Sequence, residues 1–305
     1  MKGDFQQYLS AKETVDDRAL DRRVLDRVRE DLRTSASPRV LEAGAGTAAF
    51  CRRLLGWDDV PDCTYVAVDT DADLLATGCE LLLARAQDVG FEARVVDPAA
   101  ADLGFSLDNP EFTHVATLRL RGPARIDVHL VAGDALGVAA RGTWEFIVAQ
   151  AFADLLTPGG VERLVSGVDR GGVYLPITFD GGTAFAPSHP DDGAVVDAYH
   201  ATMVDDSGER LGATAGRRLL TLLPELGVGL DAVGGSDWVV SPLGGAYPAD
   251  ESYFLRVVVD TVADAVDGHV APETIDAWLE TRRREREENR LHFVARNLDL
   301  YGRVG

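Results

Sequence analysis

The residues best placed to do chemistry in this chain are carboxylates that close short apolar runs, with glycines beside them. Val40-Leu41 leads into Glu42, and Gly44 and Gly46 follow before an apolar-periodic segment from Phe50 to Trp57. That order reads as a buried strand, a tight turn and a helix start. Glycines there let a ligand approach the backbone where a Cβ would collide. The helix start adds free N–H groups and a positive dipole end. A second run, Thr64-Tyr65-Val66-Ala67-Val68, ends at Asp69. An acid about twenty residues past such a loop is placed to bind a ribose diol. Asp71 or Asp73 suits the N-cap of the helical run from Leu74 to Gln87. Gly133-Asp134-Ala135 follows a later strand and offers an acid and a backbone N–H to an adenine edge. Gln150-Ala151-Phe152 follows a further strand, at the mouth of the same crevice.

Gly44-x-Gly46-x-x-Ala49 satisfies a relaxed dinucleotide fingerprint, which makes an NAD-dependent oxidoreductase one reading. Glu42 pulls away from it, because an anion inside the strand end opposes a pyrophosphate and suits a positively charged amine. Taken together, Val40-Leu41-Glu42-Ala43-Gly44-Ala45-Gly46, Val66-Ala67-Val68-Asp69, Ala132-Gly133-Asp134-Ala135 and Phe146-Ile147-Val148-Ala149-Gln150 resemble the motifs of the class I S-adenosylmethionine-dependent methyltransferases. The resemblance covers roughly residues 36–180. It implies a Rossmann-like α/β fold, a seven-stranded, mostly parallel sheet with the last strand antiparallel. It also implies S-adenosyl-L-methionine as cofactor, with Gly44 and Gly46 beneath its methionine portion and Glu42 near its amino group. Asp69 would take the ribose hydroxyls, Asp134 and Ala135 the adenine, and Gln150 completes the cofactor set. The implied activity is methyl transfer to a small or medium organic acceptor. One departure is plain: no Asn/Asp-Pro-Pro-Tyr/Phe tetrapeptide follows the fourth strand, where Gln150-Ala151-Phe152-Ala153 stands instead. A non-catalytic relative that binds the cofactor is a third reading, since no residue is an unambiguous catalyst.

Methyl transfer from a sulfonium needs a base only if the acceptor must lose a proton. Asp237 and His200 are the candidates, with Asp180 also on the expected crevice side. A structural aspartate and a surface histidine would have the same appearance in sequence. Phe152, Tyr199 and Trp238 are candidates for the substrate wall, as Phe179 is for crevice lining, although such aromatics equally fill cores.

These residues need positioning elements. An amphipathic helix over 11–34 precedes the core at 36–180, in which strands alternate with helices as in a parallel α/β sheet. His114 to Leu120 and Ile126 to Val131 flank the turn Arg121-Gly122-Pro123-Ala124 and read as a hairpin; Asp97 to Pro110 reads as loop. Asp180 to Gly193, rich in Gly, Pro and Asp, reads as a long loop over the crevice. Cover segments at 181–230 and 247–289 carry helices, a strand lies at 234–242, and 291–300 is the last strand. We read the whole, 1–305, as one domain. The stretch from Lys12 to Arg18 is a charged helix start, with a lid over the glycine loop as its functional alternative.

Composition bounds the partners. The net charge is −20, and lysine occurs only at Lys2 and Lys12. Such acidity resembles that of proteins from salt-loving organisms and argues against a nucleic-acid backbone as partner. The run Arg282-Arg283-Arg284 is interleaved with glutamates at helical spacing and reads as a solvated face. Three unpaired cysteines and scattered histidines give no disulfide framework and no metal site. Apolar stretches are strand-sized and Met1 to Ser10 is polar, so the expectation is a cytoplasmic protein without a membrane span.

Overall fold

The computed structural model describes residues 2–100, 111–204 and 209–305. Five strands form its parallel centre: β1 (Arg39–Ala43), β2 (Cys63–Asp69), β5 (Arg125–Ala132), β6 (Trp144–Val148) and β7 (Val168–Ala186). β1 pairs with β2 on one side and β6 on the other; β5 continues beyond β2, and β7 beyond β6. Strand order thus reverses direction at β1 and β6, which opens a crevice beyond their carboxyl ends. β10 (His292–Val304) runs antiparallel between β7 and β8 (Val228–Gly235). Over these seven strands the order is β5-β2-β1-β6-β7-β10-β8 with β10 alone reversed. That is the Rossmann-like arrangement the resemblance implied.

The seven-strand expectation is exceeded. Ten strands are present among the described residues, because β3 (Glu92–Val96) and β4 (Thr113–Arg121) add antiparallel outside β5, and β9 (Trp238–Val240) pairs with β10. The hairpin expected around Gly122 is the β4–β5 turn. Most of the expected 97–110 loop lies outside the described residues, apart from a single 3-10 turn at Pro98–Ala100.

The central strands are buried on both faces, which is why they read as continuous apolar runs. On one face Val40, Tyr65, Ala67 and Phe146 pack under α2 (Arg22–Thr34), α3 (Ala49–Leu55) and α4 (Ala72–Asp88). On the other, Leu41, Val66, Val68 and Ile147 pack under α5 (Ala135–Ala139), α6 (Pro158–Val165) and α8 (Ala215–Glu225). In α2, Val24, Val28 and Leu32 recur at helical spacing and are buried, each worth about 1.5–3 kcal/mol.

Two expectations are corrected here. The helix expected over 11–34 is two helices, α1 (Lys2–Ala19) and α2. The break falls at Asp21, whose carboxylate accepts from Arg23 N–H and Val24 N–H as an N-cap while its own N–H donates to Asp299. Nor is 180–193 a loop throughout: Asp180 to Ala186 continue β7, and Gly182 to Ala186 pair with His292–Arg296. A ladder partner more than a hundred residues away supplies hydrogen bonds that local composition does not announce.

The long ends of β7 and β10 carry a third core above the crevice edge. There α1, α7 (Asp192–Thr202), α9 (Glu251–Ala265) and α10 (Pro272–Glu287) close around Phe185, Phe254, Trp278 and Phe293. No helix among the described residues is long and apolar enough to cross a membrane.

Candidate functional site

The loop between β1 and α3 is held by the chain's own acceptors. Gly44 (φ +66°) and Gly46 (φ +53°) are left-handed, and a Cβ on Gly44 would lie 2.4 Å from the Phe152 ring. Ala45 N–H donates to the Val68 carbonyl at 2.9 Å, and Gly46 N–H to Asp69 Oδ2 at 2.8 Å. Phe50 N–H, in the first turn of α3, donates to Glu42 Oε1 at 3.1 Å. Two carboxylates therefore occupy N–H groups that a pyrophosphate would need.

Glu42 is 3% exposed and its Oε2 accepts from the Tyr65 hydroxyl at 2.7 Å. Burial pushes its carboxyl up to about 7; Tyr65, the Phe50 N–H and the nearby Arg52 and Arg53 oppose that rise. Asp69 closes β2, and its Oδ1 accepts from Asp71 N–H at 3.0 Å. Asp71 is the N-cap of α4. Asp134 is the N-cap of α5, accepting from Leu136 N–H and Gly137 N–H, both at 3.1 Å, and it is exposed.

A cavity of about 880 Å3 begins at this loop and runs beneath the cover helices. Glu42, Gly44, Gly46, Asp69, Asp134, Ala135 and Gln150 line it. Phe152, which packs on Gly44, lines it too, as do Phe179, Tyr199 and Trp238. Eight charged side chains face it, and all but Lys12 are acids: Glu13, Asp16, Glu42, Asp69, Asp71, Asp134 and Asp154. The field inside favours a cation.

α1 roofs the cavity. Leu9 lies 3.4 Å from the position of a Cβ on Gly46. Asp16 Oδ2 accepts from Lys12 Nζ at 2.6 Å and from Gln150 Nε2 at 2.9 Å, while its Oδ1 accepts from Trp238 Nε1 at 2.9 Å. One buried carboxylate thus ties the roof to the turn after β6 and to β9. Glu13 pairs with Arg52, and Arg18 with Glu251 of α9. Leu9 thus lies beside the glycine loop, and the stretch from Lys12 to Arg18 ties α1 to Gln150, Trp238, Arg52 and Glu251.

Where it lines the cavity, β7 is bent. Ile177 takes φ +55°, rare for a β-branched residue, and its N–H donates to buried Asp299 Oδ1 at 2.9 Å. Asp299 also accepts from Tyr174 and from Asp21 N–H. This bend aims Ile177 and Phe179 at the cavity.

The three residues offered as bases stand outside the lining. His200 Nε2 lies 2.9 Å from Thr183 Oγ1, its ring packs on Phe179, and burial lowers its pKa. Asp237 accepts from Asn297 N–H at 3.1 Å. Asp180 is buried against Arg217, with Oδ1 2.8 Å from its Nε. The sequence reading passed over Asp154, on the 3-10 turn Ala153–Leu155 after β6. It lines the cavity, and its Oδ1 is shut from solvent with no hydrogen-bond partner among the described residues. The available signal was an acid on the turn following a central parallel strand.

No protein-family profile matches this sequence, and no curated protein matches it significantly. Solved structures with similar chain paths include the YcgJ protein from Bacillus subtilis, at 9% identity, covering 93% of this chain and 98% of that one, with a TM-score of 0.47. A SAM-dependent methyltransferase from Thiobacillus denitrificans in complex with S-adenosyl-L-homocysteine is similar at 14% identity, covering 92% of each chain, with a TM-score of 0.42. Another, from Geobacter sulfurreducens and in complex with the same compound, is 14% identical over 93% of this chain and 91% of that one, with a TM-score of 0.42. Likeness of this degree carries no argument about the chemistry of the cavity, which rests on the residues that line it.

Proposed function

We propose that this chain is an S-adenosylmethionine-dependent methyltransferase acting on a small or medium organic acceptor. The observation that carries the reading is the filled anion site: Glu42 and Asp69 already sit on the N–H groups of Phe50 and Gly46. A pyrophosphate would have to displace both carboxylates, whereas a sulfonium with an ammonium group is attracted by them and by the acidic lining. This counts against the dinucleotide alternative.

The residues present fit such a group. Gly44 and Gly46 give the close backbone approach, Glu42 faces the amine, Asp69 takes the ribose hydroxyls through its remaining lone pairs, and Asp134 with Ala135 meets the adenine. When bound, the cofactor supplies an activated methyl carbon. The chain's part is to hold an acceptor in line with it, keep water out beneath α1, and take up any proton released.

The reading is tested by incubating the protein with methyl-labelled S-adenosylmethionine and a metabolite extract, with thermal protection by NAD measured in parallel. Label appearing in an extract compound supports methyl transfer. Protection by NAD with no binding of S-adenosylmethionine would overturn it, and S-adenosylmethionine binding without turnover of any acceptor would favour the non-catalytic reading.

A further inference from the structure

Besides the residues of the glycine loop, the cavity carries aromatic walls and two further carboxylates, Asp16 and Asp154. Asp16 is satisfied: it holds the Lys12 ammonium at 2.6 Å, and Lys12 Nζ lies 5.0 Å from the Trp238 ring centroid. A carboxylate beside an aromatic face is a pairing that binds ammonium, and here the chain supplies its own. Asp154 feels the same Lys12 charge, but its Oδ1 is buried with no hydrogen-bond partner among the described residues. Burial raises the phenol of Tyr199, with the Asp154 carboxylate close enough to add to that rise. An unmatched buried carboxylate oxygen is costly and calls for a partner.

We infer that the cavity takes an amine in its ammonium form beside Asp154, held by the Asp154 carboxylate and the rings of Tyr199 and Phe179, and that its nitrogen is the atom methylated. The ammonium site stands on the cavity alone; the methylation of its nitrogen rests on the methyltransferase reading above. In that step the ammonium gives one proton to Asp154 and regains its lone pair. The lone pair forms the new N–C bond as the bond from the methyl carbon to the sulfonium sulfur breaks, its electron pair remaining on sulfur. The product leaves as the methylated ammonium, and Asp154 returns its proton to water. Burial raises the proton affinity of Asp154, opposed by its backbone N–H and by Lys12, and a raised affinity suits proton acceptance.

The test is calorimetric, with and without S-adenosylhomocysteine, using butylammonium and benzylammonium, the matching alcohols, and butyrate and benzoate. The inference expects at least one ammonium probe to bind about tenfold or more tightly than its alcohol and carboxylate counterparts. Asp154→Asn should lose about that factor for ammonium while keeping its affinity for S-adenosylhomocysteine within about twofold. Equal binding of alcohol or carboxylate, unchanged ammonium binding by Asp154→Asn, or binding of no probe would overturn it. The comparison among probes uses the wild-type chain, so it decides even if the variant fails to fold. Absence of S-adenosylhomocysteine binding would sink the methyltransferase reading separately, leaving the ammonium site to be judged by the same probes alone.

Discussion

At the scale of single residues, Glu42 sets a measurable pH dependence. Its carboxyl is raised from an ordinary 4.5 to about 7, chiefly by burial. The folded chain therefore keeps a proton that the unfolded chain has already released between about pH 4.5 and 7. Stability contributed at Glu42 is present below that window and lost as pH rises through it, by about 3 kcal/mol in all. Glu42→Gln removes the ionisation, so the unfolding free energy of the variant should gain on the wild type across that range. Denaturant titrations at pH 4.5 and 7.5 measure the difference, and parallel pH profiles would refute this account of the residue. A cation bound beside Glu42 should draw the carboxyl down again. Binding of S-adenosylmethionine at pH 7 should thus release a fraction of a proton, seen as buffer-dependent heat and absent in Glu42→Gln.

At the scale of elements, the roof helix α1 packs Ala11 and Val15 into the third core and adds polar ties through Asp16. Asp16→Ala leaves Lys12, Gln150 and Trp238 without their shared acceptor. Amide exchange in α1 should then quicken by about tenfold or more while the central strands keep their protection. Hydrogen-exchange mass spectrometry reads both at once; uniform loosening would mean that Asp16 supports the whole fold rather than the roof. Elements differ in how openly the sequence declares them. Val40-Leu41 and Tyr65 to Val68 were legible because burial on both faces leaves unbroken apolar runs, and Glu42, Asp69 and Asp134 because each closes such a run. The extension of β7 through Asp180 to Ala186 was not, since its partner β10 lies more than a hundred residues on. The break between α1 and α2 was hidden in a continuous helical period, and only Asp21 marked it. Asp154 was illegible because its interest lies in the burial of Oδ1, a tertiary property that local sequence does not carry.

For the whole molecule, a net charge of −20 with two lysines means that self-repulsion opposes compactness. Salt screens that repulsion, with a Debye length falling from about 10 Å at 0.1 M to about 3 Å at 1 M. We propose adaptation to high salt, and the unfolding temperature should rise between 0.1 M and 2 M KCl; a fall would show that the ion pairs dominate instead. The central claim, an acidic crevice built for a sulfonium nucleoside, is tested most directly by calorimetric titration of S-adenosylmethionine and S-adenosylhomocysteine in molar KCl, with Asp69→Ala beside the wild type. The account predicts saturable binding of both ligands, weakened by about tenfold or more in the variant. No heat from either ligand, or equal affinity in Asp69→Ala, would contradict it.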